Sequence, residues 1–133
     1  MKNSTILKSV AAATIAICAT ATIGANAIAA DDGNFEVVTD FETFKARFIG
    51  PRIMDPEDDA NFFVIRMDET VEGTWYGKTL AGDWRWEDQY FCRSLSAPRA
   101  APEDCQAWSF AEGKARLVRN RGTGDETVYS LGN

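Results

Sequence analysis

The sequence predicts an α+β domain: one short N-terminal amphipathic helix packed on an antiparallel meander of six or seven strands, curled into a small barrel or half-barrel. Three observations predict it. Phe41, Phe44 and Phe48 recur at helical spacing. Beyond Asn61 the apolar period falls to two, and β-branched and aromatic residues dominate. The connections there are short and polar, which suits neighbouring antiparallel strands rather than crossovers.

Taken in order, Phe35 to Val38 is a short extended lead-in. Thr39 is the expected N-cap, with Glu42 three residues later completing a capping box, and Gly50-Pro51 ends the helix. Its aromatic face needs a core to pack on. The acidic run Asp55-Pro56-Glu57-Asp58-Asp59 lacks the alternating oxygen ligands and central glycine of an EF-hand loop and is expected to be a solvated loop. Strands follow near Phe62–Met67, Val71–Gly77, Leu80–Glu87, Gln89–Leu95, Asp104–Phe110, Lys114–Asn120 and Glu126–Leu131. Asp68-Glu69, Gly77-Lys78, Glu87-Asp88, Glu112-Gly113 and the run Arg121-Gly122-Thr123-Gly124-Asp125 punctuate them.

Ahead of this domain, Lys2 and Lys8 precede an apolar run from Val10 to Ile23, and small residues follow through Ala25-Asn26-Ala27 and Ala29-Ala30. This is the pattern of a secretory signal peptide. About 14 apolar residues fall short of the roughly 20 that span a bilayer. Cys18 follows Ile17 rather than a small residue, which argues against lipidation. Residues 1–30 are therefore expected to be removed, leaving residues 31–133 as a single periplasmic or secreted domain, monomeric and without stable membrane insertion.

The chain carries 14 basic and 20 acidic residues, a formal charge of −6, which becomes −8 once Lys2 and Lys8 leave with the signal. That balance repels nucleic acid and anionic lipid surfaces. Cys92 and Cys105 remain after processing. In an oxidising compartment an isolated pair is most simply a structural disulfide, here fastening the base of a loop that holds Pro98 and Pro102. Neither C-x-x-C spacing nor a basic helix terminus marks a redox thiol.

The densest segment runs from Gly82 to Arg93. Alternation sets Trp84 and Trp86 on one face and Asp83, Arg85 and Glu87 on the other. With Trp75, Tyr76 and Trp108 these rings either line a pocket for a small apolar ligand or build the core of a small domain. Arg93, Lys114, Arg116, Arg119 and Arg121 gather in the C-terminal half. Arg119 and Arg121 beside the Gly122-Thr123-Gly124 turn have the groups of an anion site; the alternative is a plain hairpin with Asp125 pairing one of them.

Enzymatic chemistry is poorly provided for. The chain has no histidine, which removes the commonest general base, metal ligand and nucleophile activator. Glu87 or Asp88 with Glu103 or Asp104 would make a glycosidase-like carboxylate pair only if they faced one cleft. Neither a metal site nor a cofactor is expected.

Trp84, Trp86, Asp88 and Tyr90-Phe91-Cys92-Arg93, followed by Asp104-Cys105-Gln106 and the Arg121-Gly122, Gly124-Asp125 turn, form a paired motif. On it the chain resembles a small exported alphaproteobacterial family of no established function, over roughly its C-terminal half. Some proteins that look like this carry the name dihydrodipicolinate reductase. That chemistry needs a nucleotide-binding βαβ unit, which the strand pattern does not provide, so the name would not describe an activity of this chain.

The expected function is a small periplasmic binding module, stapled by Cys92 and Cys105. Trp75, Tyr76, Trp84 and Trp86 would contact a small molecule or envelope component, and Arg93, Arg119 or Arg121 would supply charge. The rival is an acidic protein–protein module, such as an inhibitor of a cationic envelope enzyme, steered by its net charge.

Overall fold

The computed structural model describes residues 34–132. The expected signal segment and the expected start of the mature domain lie outside them. Among the described residues the chain forms nine strands: β1 (Glu36–Val38), β2 (Arg52–Asp55), β3 (Asp58–Ile65), β4 (Thr70–Trp75), β5 (Lys78–Glu87), β6 (Tyr90–Ala97), β7 (Ala101–Ala111), β8 (Lys114–Val118) and β9 (Glu126–Leu131). The helices are α1 (Phe41–Phe48) and a single turn, α2 (Arg119–Gly122). β2 to β9 pair in chain order, every neighbour antiparallel, and β9 returns to β2. The result is a closed eight-stranded up-and-down barrel, which leaves none of these eight strands as an open sheet edge. β1 adds to β7 beyond the end of β6, pairing Val38 with Trp108.

The strand count exceeds the expected six or seven because two short segments join the ladder. The lead-in at Glu36–Val38 pairs with β7, and Arg52–Asp55 forms a hairpin with β3. The acidic run is therefore not a free loop. Asp55 and Asp58 face each other across a turn at Pro56-Glu57. Each carboxylate accepts from a backbone amide two residues on, Glu57 and Ala60 respectively, at 2.9 and 3.0 Å. Those local bonds hold the turn, so acidic residues of low strand propensity stay in the ladder.

Helix α1 forms where Phe41, Phe44 and Phe48 predict it, with its cap one residue later than Thr39. Asp40 is the N-cap, and its Oδ1 accepts from the Thr43 amide at 2.8 Å. Glu42 does not close a capping box but pairs with Lys45 at 3.0 Å. Phe44 and Phe48 are fully buried. Phe44 stacks on Phe91 with centroids 5.1 Å apart and meets Trp108 edge-on; Phe48 lies 4.9 Å from Trp108. The helix thus inserts its apolar face into one end of the barrel.

Inward and outward positions alternate most clearly along β5. On β5 the inward residues Leu80, Gly82 and Trp84 are buried while Asp83 and Arg85 are exposed, as the alternation predicts. Two inward glycines let the wall close tightly: a Cβ on Gly73 would sit 2.0 Å from the Phe62 carbonyl oxygen, and one on Gly82 2.1 Å from that of Ser94.

Candidate functional site

On β6 the inward residues are Phe91, Arg93 and Leu95, register partners of Trp86, Trp84 and Gly82 on β5. Phe91 lies under the helix. Leu95, two pairs further along, lies at the opposite end, where no helix enters. There the barrel holds a partly open cleft of about 330 Å³. Its deeper lining is Phe63 and Leu80, both buried. Trp75, Leu95 and Tyr129 form its walls, and the link at residues 98–100 between β6 and β7, with Ala101 at the start of β7, forms its lip.

The rings in the wall are locked to one another. Tyr129 meets Phe63 edge-on at 5.3 Å and Trp75 edge-on at 6.2 Å. Trp75 lies on the same face of β4 as buried Val71 and is followed by a tight turn in which Tyr76 and Gly77 both take positive φ. The Tyr76 amide donates to Asn61 Oδ1 at 2.7 Å, tying this turn to β3. Tyr76 itself is 73% exposed, its ring edge-on to Trp75 at 6.0 Å, and it is not part of the cleft lining.

Arg93 is the cation inside this cleft. Its cross-strand partner is Asp104, yet the two make no ion pair. The Asp104 carboxylate is already taken: Oδ2 accepts from Gln106 Nε2 at 2.9 Å and Arg119 Nε at 3.0 Å, and Oδ1 accepts from the Asn120 amide at 2.9 Å. Gln106 in turn accepts from the Trp108 indole at 3.1 Å. Arg93 Nε is buried with no hydrogen-bond partner. Burial pulls the Arg93 pKa down from its ordinary value. Burial also raises that of Tyr129, which stays a neutral O–H donor at neutral pH.

The other expected site residues lie elsewhere. Trp84, 6% exposed, packs in the core and donates from Nε1 to the Arg66 carbonyl at 2.8 Å. Trp86 packs against Phe41 and Phe44 of the helix. Neither borders the cleft. Arg119 is held by Asp104. Arg121 pairs with Glu87 at 3.0 Å and lies over the Tyr90 ring. The turn is the hairpin connection expected between β8 and β9, with Gly122 at positive φ; within it Asn120 and Arg121 are also left-handed, and the Gly124 amide donates to the Arg119 carbonyl at 2.8 Å. Asp125 pairs with neither arginine; its carbonyl accepts from the Arg119 amide at 2.9 Å. Both guanidinium groups of the expected anion site are therefore already matched by carboxylates.

Cys92 and Cys105 form the disulfide. They are register partners on β6 and β7, so the bond staples two paired strands rather than the base of a long loop. It lies on the outer face beside an ion network. Arg85 holds Glu103 through two hydrogen bonds, at 2.8 and 2.7 Å, and contacts Glu87, which also receives Arg121. The Arg85 guanidinium holds the Glu87 and Glu103 carboxyls below their usual range, unlike the raised pKa of a general acid. Among the described residues, the grouping of possible metal donors is Glu87 with the two cysteines, whose sulfurs are bonded to each other. No helix among the described residues is long and apolar enough to cross a membrane.

Sequence patterning missed Phe63, Leu80, Leu95, Arg99 and Tyr129 as cleft residues. Strand alternation marks most of them as inward, but Tyr129 joins Trp75 only because β9 closes on β2. Comparison with protein-family models, curated proteins and solved structures gives no match to this chain.

Proposed function

We propose that the protein is a small exported binding module that holds one apolar ligand in the cleft at the open end of its barrel. One observation carries this: with one end of the barrel filled by α1, the other keeps a cleft of about 330 Å³ walled by Trp75, Tyr129, Phe63 and Leu95. An eight-stranded barrel has an interior that side chains can fill or that can hold one small ligand. The volume lies near the low end of ligand pockets, about 300–1,000 Å³. The signal-like N-terminus and the Cys92–Cys105 disulfide support export to an oxidising compartment. Trp75 and Arg93 are the expected site residues that border the cleft; Tyr76 stands beside Trp75 but is not part of the lining.

Native mass spectrometry of the gently purified protein, followed by titration of the stripped protein with apolar probes, tests the proposal. A small retained mass, or a probe that quenches Trp75 and no longer binds Trp75→Ala, is the expected result. Protein that is bare and insensitive to every probe contradicts it.

A further inference from the structure

We infer that the ligand is an apolar molecule with a single carboxylate head, and that the head binds Arg93. The inference rests on the cleft being a ligand site, and it comes from how this chain treats its other arginines. Arg66, Arg85, Arg119 and Arg121 each hold a carboxylate, Arg47, Arg52 and Arg116 lie over the rings of Phe110, Phe62 and Phe35, and Arg99 is exposed to solvent. Arg93 has neither kind of partner among the described residues, although it points inward where an unpaired charge is hardest to sustain. The carboxylate set opposite it by strand register, Asp104, acts on it only through space and accepts its hydrogen bonds from Gln106, Arg119 and the Asn120 amide.

A ligand in the cleft would supply the direct carboxylate contact that no side chain makes. In a chain with 20 acidic residues against 14 basic, no acidic residue lines this cleft, and its two charged residues are Arg93 inside and Arg99 at the lip. The Tyr129 hydroxyl, which no described residue hydrogen-bonds, adds a neutral donor in the same wall. One interior guanidinium, one phenol and otherwise apolar walls suit a monoanion on a hydrophobic body. A carboxylate matches the fork of guanidinium donors, whereas a dianionic phosphate would call for a second interior cation.

The test is a set of titrations of the purified protein, followed by tryptophan fluorescence and calorimetry, with decanoate, decan-1-ol, decyltrimethylammonium and decyl phosphate below their aggregation concentrations. The expected result is decanoate at least ten-fold tighter than decanol, decyl phosphate no tighter than decanoate, and the cation weakest. In Arg93→Met the decanoate and decanol affinities should converge, while Arg93→Lys retains part of the preference. The wild-type ratios decide the matter even if a variant folds poorly. Decanol binding as tightly as decanoate overturns the inference and leaves the cleft as an apolar site. Decyl phosphate binding tighter overturns the carboxylate assignment. Binding of none of the four overturns the inference together with the cleft itself.

Discussion

At the end of the barrel entered by α1, Phe44, Phe48, Trp84, Phe91 and Trp108 fill the interior ring against ring. At the other end, Trp75 and Tyr129 stand at the edge of open space with Arg93 between the two regions on the same strand face as Phe91. Both ends arise from the same inward alternation along β3 to β6 and β9. They differ because α1 supplies the side chains that complete one of them. Where a second element enters, inward rings become core; where none enters, the same kind of ring becomes a wall. Large aromatics therefore report burial or binding according to what covers them.

This contrast can be broken by substitution. Phe44→Ala, which removes the centre of the plugged end, should cost about 3–5 kcal/mol of unfolding free energy, measured by denaturant titration. Loss of the disulfide in Cys92→Ala/Cys105→Ala should cost about 3 kcal/mol in the chain-entropy model, read in the same way, while leaving cleft binding in place. Trp75→Ala should be milder for stability, about 1–2 kcal/mol for a half-buried ring, and severe for ligand binding. That reversal of effect between Phe44 and Trp75 is the signature of the two ends. Arg93→Met should raise stability by about 1 kcal/mol in the ligand-free protein, since it removes an interior charge that has no partner; a loss of stability would show that Arg93 has a structural partner.

The smallest expected effect is on the acid limb of stability. Burial raises the Asp104 pKa, but hydrogen bonds from Gln106, Asn120 and Arg119 outweigh it, and the net shift is downward from 3.8. A carboxyl depressed in the folded state contributes stability that is complete above its unfolded pKa and is lost as pH falls through the folded value. Asp104→Asn should therefore lower stability at neutral pH and flatten its decline below about pH 4, as followed by thermal melts across pH.

The helix, the seven strands from β3 to β9 and the disulfide pair were legible in the sequence because each is written locally, as a period, a turn or an isolated cysteine pair. Alternation also separated Trp84 and Trp86 from Asp83, Arg85 and Glu87. What periodicity cannot carry is which inward residues share a level of the barrel. Trp84 and Trp75 look alike along their strands, yet one lies under the helix and the other at the open end. Likewise Arg93, Arg119 and Arg121 read as one basic cluster. Only the pairing of β6 with β7 and the folded turn after β8 show that Asp104 and Glu87 take the latter two and leave Arg93 unmatched. The cap moved from Thr39 to Asp40 for a smaller reason: either side chain can cap, and the carboxylate of Asp40 is the one that meets the Thr43 amide.

The four tryptophans offer the most direct measurement of the account, because three belong to the filled end and one to the open end. In a ¹⁵N-labelled sample titrated with decanoate, the Trp75 indole signal should shift. The Trp84 and Trp108 indoles, bound to the Arg66 carbonyl and to Gln106, should stay in place along with that of Trp86. Shifts centred on Trp84, Trp86 and Trp108 with Trp75 unmoved would place binding at the wrong end and contradict the account.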